Sequence, residues 1–170
     1  MKKLLVFFTL SLLIFAACGG NKEGSDSFKG VEAITNGTVI ESENFSITVP
    51  EEMVESLNMM QTINATADNG FVRFAATYNT GGPTVSQLKT YAENLVAMVK
   101  ALDSEANIGK PEVNGKLATL RSVTEGNVRI DFTYLKDDTA GLAGSFKFPE
   151  DQADKWEKQL LPILKSVVFK

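Results

Sequence analysis

The chain has 170 residues and a net charge of −4, with one cysteine and no histidine. Without histidine, serine–histidine and cysteine–histidine catalysis and histidine-ligated metal sites are excluded, and a single cysteine excludes an internal disulfide. The sequence has no basic cluster, which argues against nucleic acid as a partner because phosphate contacts need one.

Residues 1–17 have the organisation of a bacterial export signal. Lys2 and Lys3 precede an apolar run from Leu4 to Phe15. This run is too short to cross a membrane as a helix, because a span needs about 20 apolar residues and the cores of signal peptides have roughly 7 to 15. We therefore expect a signal peptide rather than a membrane span.

The end of this signal, Phe15-Ala16-Ala17-Cys18, resembles a lipobox, the motif in which small residues precede a lipid-modified cysteine. The resemblance implies that Cys18 becomes the first residue and carries the lipid that attaches the chain to a membrane. The alternative is a secretory peptide that is cut after Ala17 and leaves a free thiol. Gly19 follows the cysteine in place of aspartate, which in the enteric sorting rule favours the outer membrane of the bacterial envelope over the inner one.

Residues 18–37 are rich in glycine, serine, asparagine and charge, so we expect a flexible tether. A coil of that length holds a domain on the order of 25 Å from the membrane. Loss of the signal peptide removes two lysines and no acid, which lowers the net charge from −4 to −6. Residues 38–170 are expected to form one globular domain.

The domain is predicted to begin with two paired strands, Thr38–Glu41 and Phe45–Val49, followed by a short helical turn over Glu51–Ser56. A longer hairpin joins residues 59–67 to residues 71–79 around Asn69-Gly70, a dipeptide that suits positive φ. Its register pairs Ala67 with Val72, Ala65 with Phe74, Ile63 with Ala76 and Gln61 with Tyr78, which leaves threonines, Asn64 and Arg73 on a wetter face.

One long helix is predicted from Thr84 to Asp103, because Thr84 and Gln87 form a capping box. Its apolar face is Leu88, Tyr91, Ala92, Leu95, Val99 and Leu102. Ser86 and Lys89 have the Ser-x-x-Lys spacing of penicillin-recognising enzymes, but the companion motifs of those enzymes are absent. We expect no catalytic residue here.

Three turn signals, Asn114-Gly115, Gly126-Asn127 and Asp137-Asp138, predict a four-stranded meander. The second turn places Arg121 beside Phe132 on the apolar face. We favour a side-chain stem over the sheet with its charge in solvent, and the alternative is an arginine that contacts a ligand. The third loop needs an odd number of residues, three (137–139) or five, to keep apolar residues on one face.

A closing helix is predicted after Pro149, with a buried face of Ala153, Trp156, Leu160, Ile163 and Leu164. Acids at its start suit the helix dipole, and no glycine-bearing loop supports calcium binding. Pro162 removes one helical hydrogen bond, so we expect a kink or a restart there, followed by an extended segment over 167–169.

This order of elements resembles the PsbP-like α/β/α sandwich, a group that includes photosystem extrinsic subunits, Ran-binding import factors and DcrB-type bacterial envelope lipoproteins. The resemblance implies an α+β domain with a curved antiparallel sheet of about six to seven strands, flanked by the long central helix and the C-terminal helix. It also implies binding or assembly roles, and it assigns no functional residue.

The expected function is that of a non-enzymatic envelope lipoprotein that binds another envelope component. The alternative is a carrier of a small apolar ligand, held between the sheet and the Thr84–Asp103 helix, with Met98 and Tyr91 lining the pocket. An enzyme that uses only carboxylates, such as Asp137 with Asp138 or Glu51 with Glu52, comes third. We expect no metal and no cofactor.

One loop carries a candidate modification site. Asp138-Thr139-Ala140 resembles the three-residue O-glycosylation sequon that one group of Gram-negative bacteria uses in the periplasm, with Thr139 as the acceptor. The simpler interpretation is a plain turn.

Overall fold

The computed structural model describes residues 26–170, so the predicted signal peptide and Cys18 lie outside it. The strands within this range are β1 (Gly37–Glu41), β2 (Phe45–Pro50), β3 (Val54–Glu55), β4 (Thr62–Ala67), β5 (Val72–Thr80), β6 (Asn107–Ile108), β7 (Glu112–Asn114), β8 (Leu117–Thr124), β9 (Asn127–Leu135), β10 (Ala140–Pro149) and β11 (Val168–Phe169). The α-helices are α1 (Leu88–Leu102), α2 (Ala153–Trp156) and α3 (Leu160–Lys165).

The strands form two antiparallel sheets. The larger sheet has eight strands in the order β3-β4-β5-β10-β9-β8-β6, with β7 also paired to β8. The smaller sheet has the order β1-β2-β11. The sequence predicted the first strand pair but not that it stands apart from the main sheet, where the last residues of the chain complete it.

The main sheet separates two layers. One face, called the core face, packs on α2, α3 and the small sheet through a large apolar cluster that includes Phe45, Phe74, Phe132, Phe146 and Trp156. The opposite face, called the outer face, is covered by α1 mainly beside β8 and the short strands β6 and β7, and a second small cluster joins α1 to β8 and β9. The result is an α+β domain with helices on both sides of an antiparallel sheet.

The C-terminal helical segment follows the predicted pattern. Its core contacts come from Trp156, Leu160, Ile163 and Leu164, all of which are buried. A 3-10 stretch over Glu157–Gln159 separates α2 from α3. This interruption precedes Pro162, which cannot donate a backbone hydrogen bond to residue 158, so the expected restart is observed.

The long hairpin has the predicted register. Ala67 pairs with Val72, Ala65 with Phe74 and Ile63 with Ala76. The connection is longer than a two-residue turn, because a 3-10 turn occupies Asp68–Gly70, but Asn69 and Gly70 have the expected positive φ values of 54° and 87°. The three-residue loop over 137–139 is also confirmed, since the amide of Lys136 donates to the carbonyl of Ala140 at 3.0 Å.

Two local predictions are wrong. The helical turn expected over Glu51–Ser56 contains instead β3, whose residues Val54 and Glu55 pair with β4. The turn between β8 and β9 centres on Glu125 and Gly126, because Thr124 pairs with Asn127. This moves the register by two residues relative to the sequence prediction, and a shift of two keeps every side chain on its face.

The chain also packs onto the domain earlier than predicted. Ser27 is 2% exposed, and its hydroxyl donates to the carbonyl of Asn114 at 2.7 Å and accepts from the amide of Lys116 at 2.9 Å. Phe28 lies edge-on against Tyr134, with ring centroids 5.2 Å apart. We call residues 26–36 the strap; this part of the expected tether runs along the domain, so the boundary at residue 38 is too late.

Candidate binding site

The outer face of the main sheet is left largely uncovered. Leu88 and Ala92, in the first half of α1, are buried against the sheet, whereas Leu102 at the helix end is 86% exposed. The second half of α1 therefore does not cover the strands beneath it. Across β5 and β10 the outer face presents the small side chains of Ala75, Thr77, Ala143 and Ser145, which leave space above the sheet.

A first depression lies between α1 and the sheet, and we call it the helix groove. Its volume is about 390 Å³. The helix side is apolar, with Leu95, Met98, Val99 and Leu102, while the sheet side is polar and includes Arg129 and Lys147. Met98 thus lines the groove, as the sequence suggested, but Tyr91 lies in the neighbouring depressions instead.

A second depression lies farther from α1, and we call it the cationic trough. Its volume is about 520 Å³, and its lining includes Arg73, Arg129 and Lys147 but no acidic residue. Leu57 and Met59 form its rim and are 79% and 69% exposed. A third, shallower depression of about 430 Å³ lies over Ala75, Thr77 and Ser145 and joins the two.

The three cations of the trough form one row across neighbouring strands. Lys147 on β10 pairs in register with Arg73 on β5 on one side and with Arg129 on β9 on the other. All three point to the outer face, because strand residues in direct register share a face. The Arg129 guanidinium binds the carboxylate of Asp131 at 2.7 Å, and the Arg73 Nε donates to the carbonyl of Gly70 at 2.6 Å.

No family model matches the chain, and no curated protein matches it. Among solved structures, the solution structure of cyanobacterial PsbP (CyanoP) from Synechocystis sp. PCC 6803 matches with a TM-score of 0.58 and 11% identity, over 83% of this chain and 96% of that chain. The chain has a PsbP-like fold. A crystal structure from Bacteroides thetaiotaomicron VPI-5482 matches with a TM-score of 0.40 and 12% identity, over 77% of this chain and 49% of that chain.

The PsbP-like domain holds Arg121 away from the outer face. Arg121 pairs in register with Ile130 rather than with Phe132, and it therefore lies at the edge of the core face. Its Nε lies 3.2 Å from the carboxylate of Glu157, which follows α2. This ion pair connects the sheet to the C-terminal helices, and Arg121 does not line the helix groove or the cationic trough. Its assignment as a ligand contact stays a prediction without support from these two depressions.

Thr139 lies exposed in the loop between β9 and β10 of the PsbP-like domain. The Asp137 carboxylate accepts hydrogen bonds from the Thr139 hydroxyl at 2.6 Å, from the Thr139 amide at 2.8 Å and from the Ala140 amide at 3.1 Å. These bonds, led by that of the hydroxyl, lower the pKa of Asp137 below its ordinary value. The loop is a compact turn with an accessible hydroxyl, and O-glycosylation of Thr139 stays a prediction.

The other motifs noted in the sequence do not assemble into a site. The Thr84–Gln87 capping box is present, and in it the Thr84 hydroxyl lies 2.9 Å from that of Ser86. Glu52 binds Lys155 on α2, and the Asp138 carboxylate accepts from the Val85 amide. Over residues 26–170 no group of three or more Asp, Glu, Cys or His side chains could hold a metal ion. The same residues include no helix of sufficient length and apolarity to cross a membrane.

The row of three cations was not predicted from the sequence, although the outward direction of each side chain follows from it. Arg73, Arg129 and Lys147 all alternate with buried residues along their strands, so their outward direction is predictable. What the sequence does not give is the order β5-β10-β9, which places the fifth strand beside the tenth and brings distant residues together.

Proposed function

We propose that the protein is a non-enzymatic, lipid-anchored binding module of the bacterial cell envelope, and that its outer sheet face receives another envelope component. The observation that carries this proposal is a set of three adjoining depressions across an otherwise uncovered sheet. An antiparallel sheet commonly packs one face on the core and presents polar side chains to solvent on the other. Here the side chains in the middle of the face are small, and large apolar side chains lie exposed along its rims. Such an arrangement is typical of a docking surface.

The chemistry of the face supports binding rather than catalysis. Its hydroxyl groups, which include those of Thr77, Ser122 and Ser145, have no neighbouring histidine to activate them because the chain contains none. Asp131 is occupied by its bonds to Arg129. Groups of these types position and recognise a partner, and a reaction would need an additional activated nucleophile or base.

Anchoring follows from the lipobox-like motif at Cys18. A single acyl chain holds a protein to a membrane only weakly, whereas the several chains of a bacterial lipoprotein attach it durably. The strap begins within nine residues of Cys18, so the chain between them spans at most about 30 Å even when fully extended. The domain is then held close to the surface of the membrane, with the outer membrane as the expected location.

The helix groove supports a second candidate function, that of a carrier for a small amphipathic molecule. Met98 and Leu102 on α1 are exposed to the groove, and its volume lies within the range of ligand pockets. An apolar tail would lie along α1, and an anionic end would reach Arg129. Native mass spectrometry of the protein from its host separates the two functions, because a carrier retains a small molecule.

The binding function is tested by a photo-crosslinking amino acid at Thr77 or Ser145 on the outer face, with Asp154, an exposed residue of α2, as the matched control position. In intact cells we expect a discrete crosslinked protein from the two outer-face positions and none from the control. Equal crosslinking from all three positions, or none from the outer face, would contradict the proposal.

The anchor is tested separately with an alkyne fatty acid. We expect labelling of the wild-type protein and none of Cys18→Ala. Labelling that persists in Cys18→Ala would show that this cysteine is not the attachment site. The intact mass of the same preparation also tests Thr139, since an O-glycan adds mass that Thr139→Ala removes.

A further inference from the structure

We propose that the cationic trough binds an acidic, extended segment of the partner protein. This inference rests on the proposed binding function and names the chemical class of the segment that the outer face recognises. Its basis is the row formed by Arg73, Lys147 and Arg129, together with the shape of the space above the row and its position relative to the strap.

The cation row has an energetic cost in the free protein. Residues in direct register on adjacent strands have Cβ atoms about 4.5–5.5 Å apart, and like charges at that distance destabilise the sheet. Lys147 has such a neighbour on both sides. Of the row, only Arg129 forms an ion pair with another described residue, namely Asp131. An anionic ligand would relieve the repulsion that Arg73 and Lys147 retain.

The charge of the row also stands out against the rest of the molecule. The chain has 21 acidic and 17 basic residues, yet the lining of the cationic trough includes three cations and no acid. The acids that line the neighbouring depressions are Asp131, which is paired with Arg129, and Asp103 and Glu125 in the helix groove. The trough is therefore complementary in charge to an acidic partner, while the surrounding acidic surface would repel it elsewhere.

The shape of the site favours a polypeptide segment. The three depressions follow one another across the strands and are open to solvent, whereas a site for a small ligand encloses most of its ligand. Asn64, Thr66 and Ser56 supply hydrogen-bonding groups beside the cations, and Leu57 and Met59 supply an apolar rim. An extended segment with alternating acidic and apolar residues would present its acids to the row and its apolar side chains to that rim.

The position of the row argues against a lipid headgroup of the membrane that carries the anchor. The strap is fixed to Lys116, whose carbonyl accepts from Leu135, beside Gly141 at the start of β10. Lys147 lies six residues farther along β10, which is about 20 Å at 3.3 Å per residue. The row thus lies at the end of the sheet away from the contact between the strap and Lys116, which favours a protein segment over the bilayer as its partner.

The test measures binding of a fluorescent peptide with alternating Glu and Leu to the anchored mature protein in phosphatidylcholine nanodiscs. The variants are Lys147→Gln and Arg73→Gln. Lys158→Gln is the charge-matched control, because Lys158 is exposed in the C-terminal helical segment on the other side of the sheet. We expect each trough variant to weaken binding about three- to tenfold at low salt, with the effect lost at high salt. The control should bind like the wild type.

The thermal midpoint is measured as a second readout, so that weaker binding can be distinguished from an effect on folding. Lys147→Gln should raise the thermal midpoint slightly, because it removes like-charge repulsion, so weaker peptide binding in a more stable protein identifies a binding role. Equal losses in Lys158→Gln, or equal affinity for a Gln-Leu peptide, would overturn the proposal. Stronger binding to phosphatidylglycerol vesicles than to the peptide would overturn it in favour of a lipid. If crosslinks form at Thr77 and Ser145 but no trough variant changes peptide binding, the binding module stands and the acidic segment is rejected.

Discussion

Asp137 shows how one residue can fix a turn by accepting several hydrogen bonds at once. Its carboxylate accepts from the hydroxyl and amide of Thr139 and from the amide of Ala140. These bonds favour the charged form, which is why the pKa of Asp137 lies below its ordinary value of 3.8. The stability that this carboxylate contributes is therefore present at neutral pH and disappears only in acid.

We predict that Asp137→Asn lowers the thermal midpoint at pH 7 but not in strong acid. A depressed pKa in the folded state contributes stability above the ordinary value, and that contribution is lost as the pH falls through the folded value. The difference between wild type and Asp137→Asn should thus shrink below pH 3.8. Thermal melts over an acidic pH series measure it, with Asp154→Asn as an exposed control. A difference that stays constant with pH would contradict the role of the charge.

For single residues, the sequence predicted the sheet face of a side chain better than its partner on the adjacent strand. Alternation along β9 was sufficient to send Arg129 outward and Ile130 inward. Arg121 was placed on the correct face but opposite the wrong residue, because Glu125 adopts positive φ at 49°, a conformation uncommon outside glycine, asparagine and aspartate. No signal in the local sequence indicates that Glu125, rather than Asn127, shares the turn with Gly126.

At the scale of elements, Trp156 is the largest buried side chain by which the C-terminal helical segment packs on the sheet. Its side chain is fully buried, lies edge-on to Phe146 with ring centroids 6.2 Å apart, and donates from its Nε1 to the Gln152 side chain at 2.8 Å. Aromatic contacts of this geometry add to the stabilisation from burial. Lys155 also lies over the indole at 4.5 Å.

We predict that Trp156→Ala destabilises the domain by about 3–5 kcal/mol, the usual cost of removing a large buried aromatic side chain. Leu161→Ala is the matched control, since Leu161 belongs to α3 but is 37% exposed, and it should cost well below that. Chemical denaturation gives both values. A loss for Trp156→Ala no greater than that for Leu161→Ala would show that the helical segment is not held through this residue.

Elements with strong periodicity were predictable, and short pairing segments were not. The α1 helix combines a capping box with a repeated apolar spacing, the closing helices combine that spacing with acids at their start, and both formed where expected. The prediction of a helical turn in place of β3 was wrong. Glu51 and Glu52 favour a helix start, but the edge of β4 supplies backbone partners for Val54 and Glu55. A contact that is distant along the chain thus outweighs a local preference. The space beside α1 was expected from the sequence, but the cationic trough was not, because it depends on strand order.

At the scale of the whole molecule, the strap ties the beginning of the domain to the turn between β7 and β8. Its composition suggested a free tether, but three of its side chains contact the domain: Ser27 at the turn, Phe28 on Tyr134, and Ile34 against the main core. Burial under the strap and beside Phe169 raises the pKa of Tyr134 above 10.0. A free tether and a bound strap can have similar compositions. They differ in whether the domain offers a surface on which the segment can pack.

We predict that Ser27→Ala accelerates trypsin cleavage after the exposed Lys29 by about tenfold. Loss of the hydroxyl leaves the Asn114 carbonyl and the Lys116 amide without this bond, which typically costs 1–3 kcal/mol at a buried site and so favours local opening. Timed digestion with mass detection measures the rate, and Ser104→Ala, at an exposed position after α1, is the control. Identical rates for the two variants would mean that Ser27 does not hold the strap.

The pairing of β11 with β2 has a consequence for when the chain can fold. β2 is the middle strand of the small sheet, and its second partner is Val168–Phe169, separated from it by more than 100 residues. Lys170 adds a bond from its amide to the carbonyl of Asn44 at 2.9 Å. The small sheet cannot be completed until Val168 and Phe169 have been synthesised, and such distant pairing slows folding. If the protein is exported as we propose, this dependence on distant residues would help the chain to remain unfolded until it has crossed the membrane.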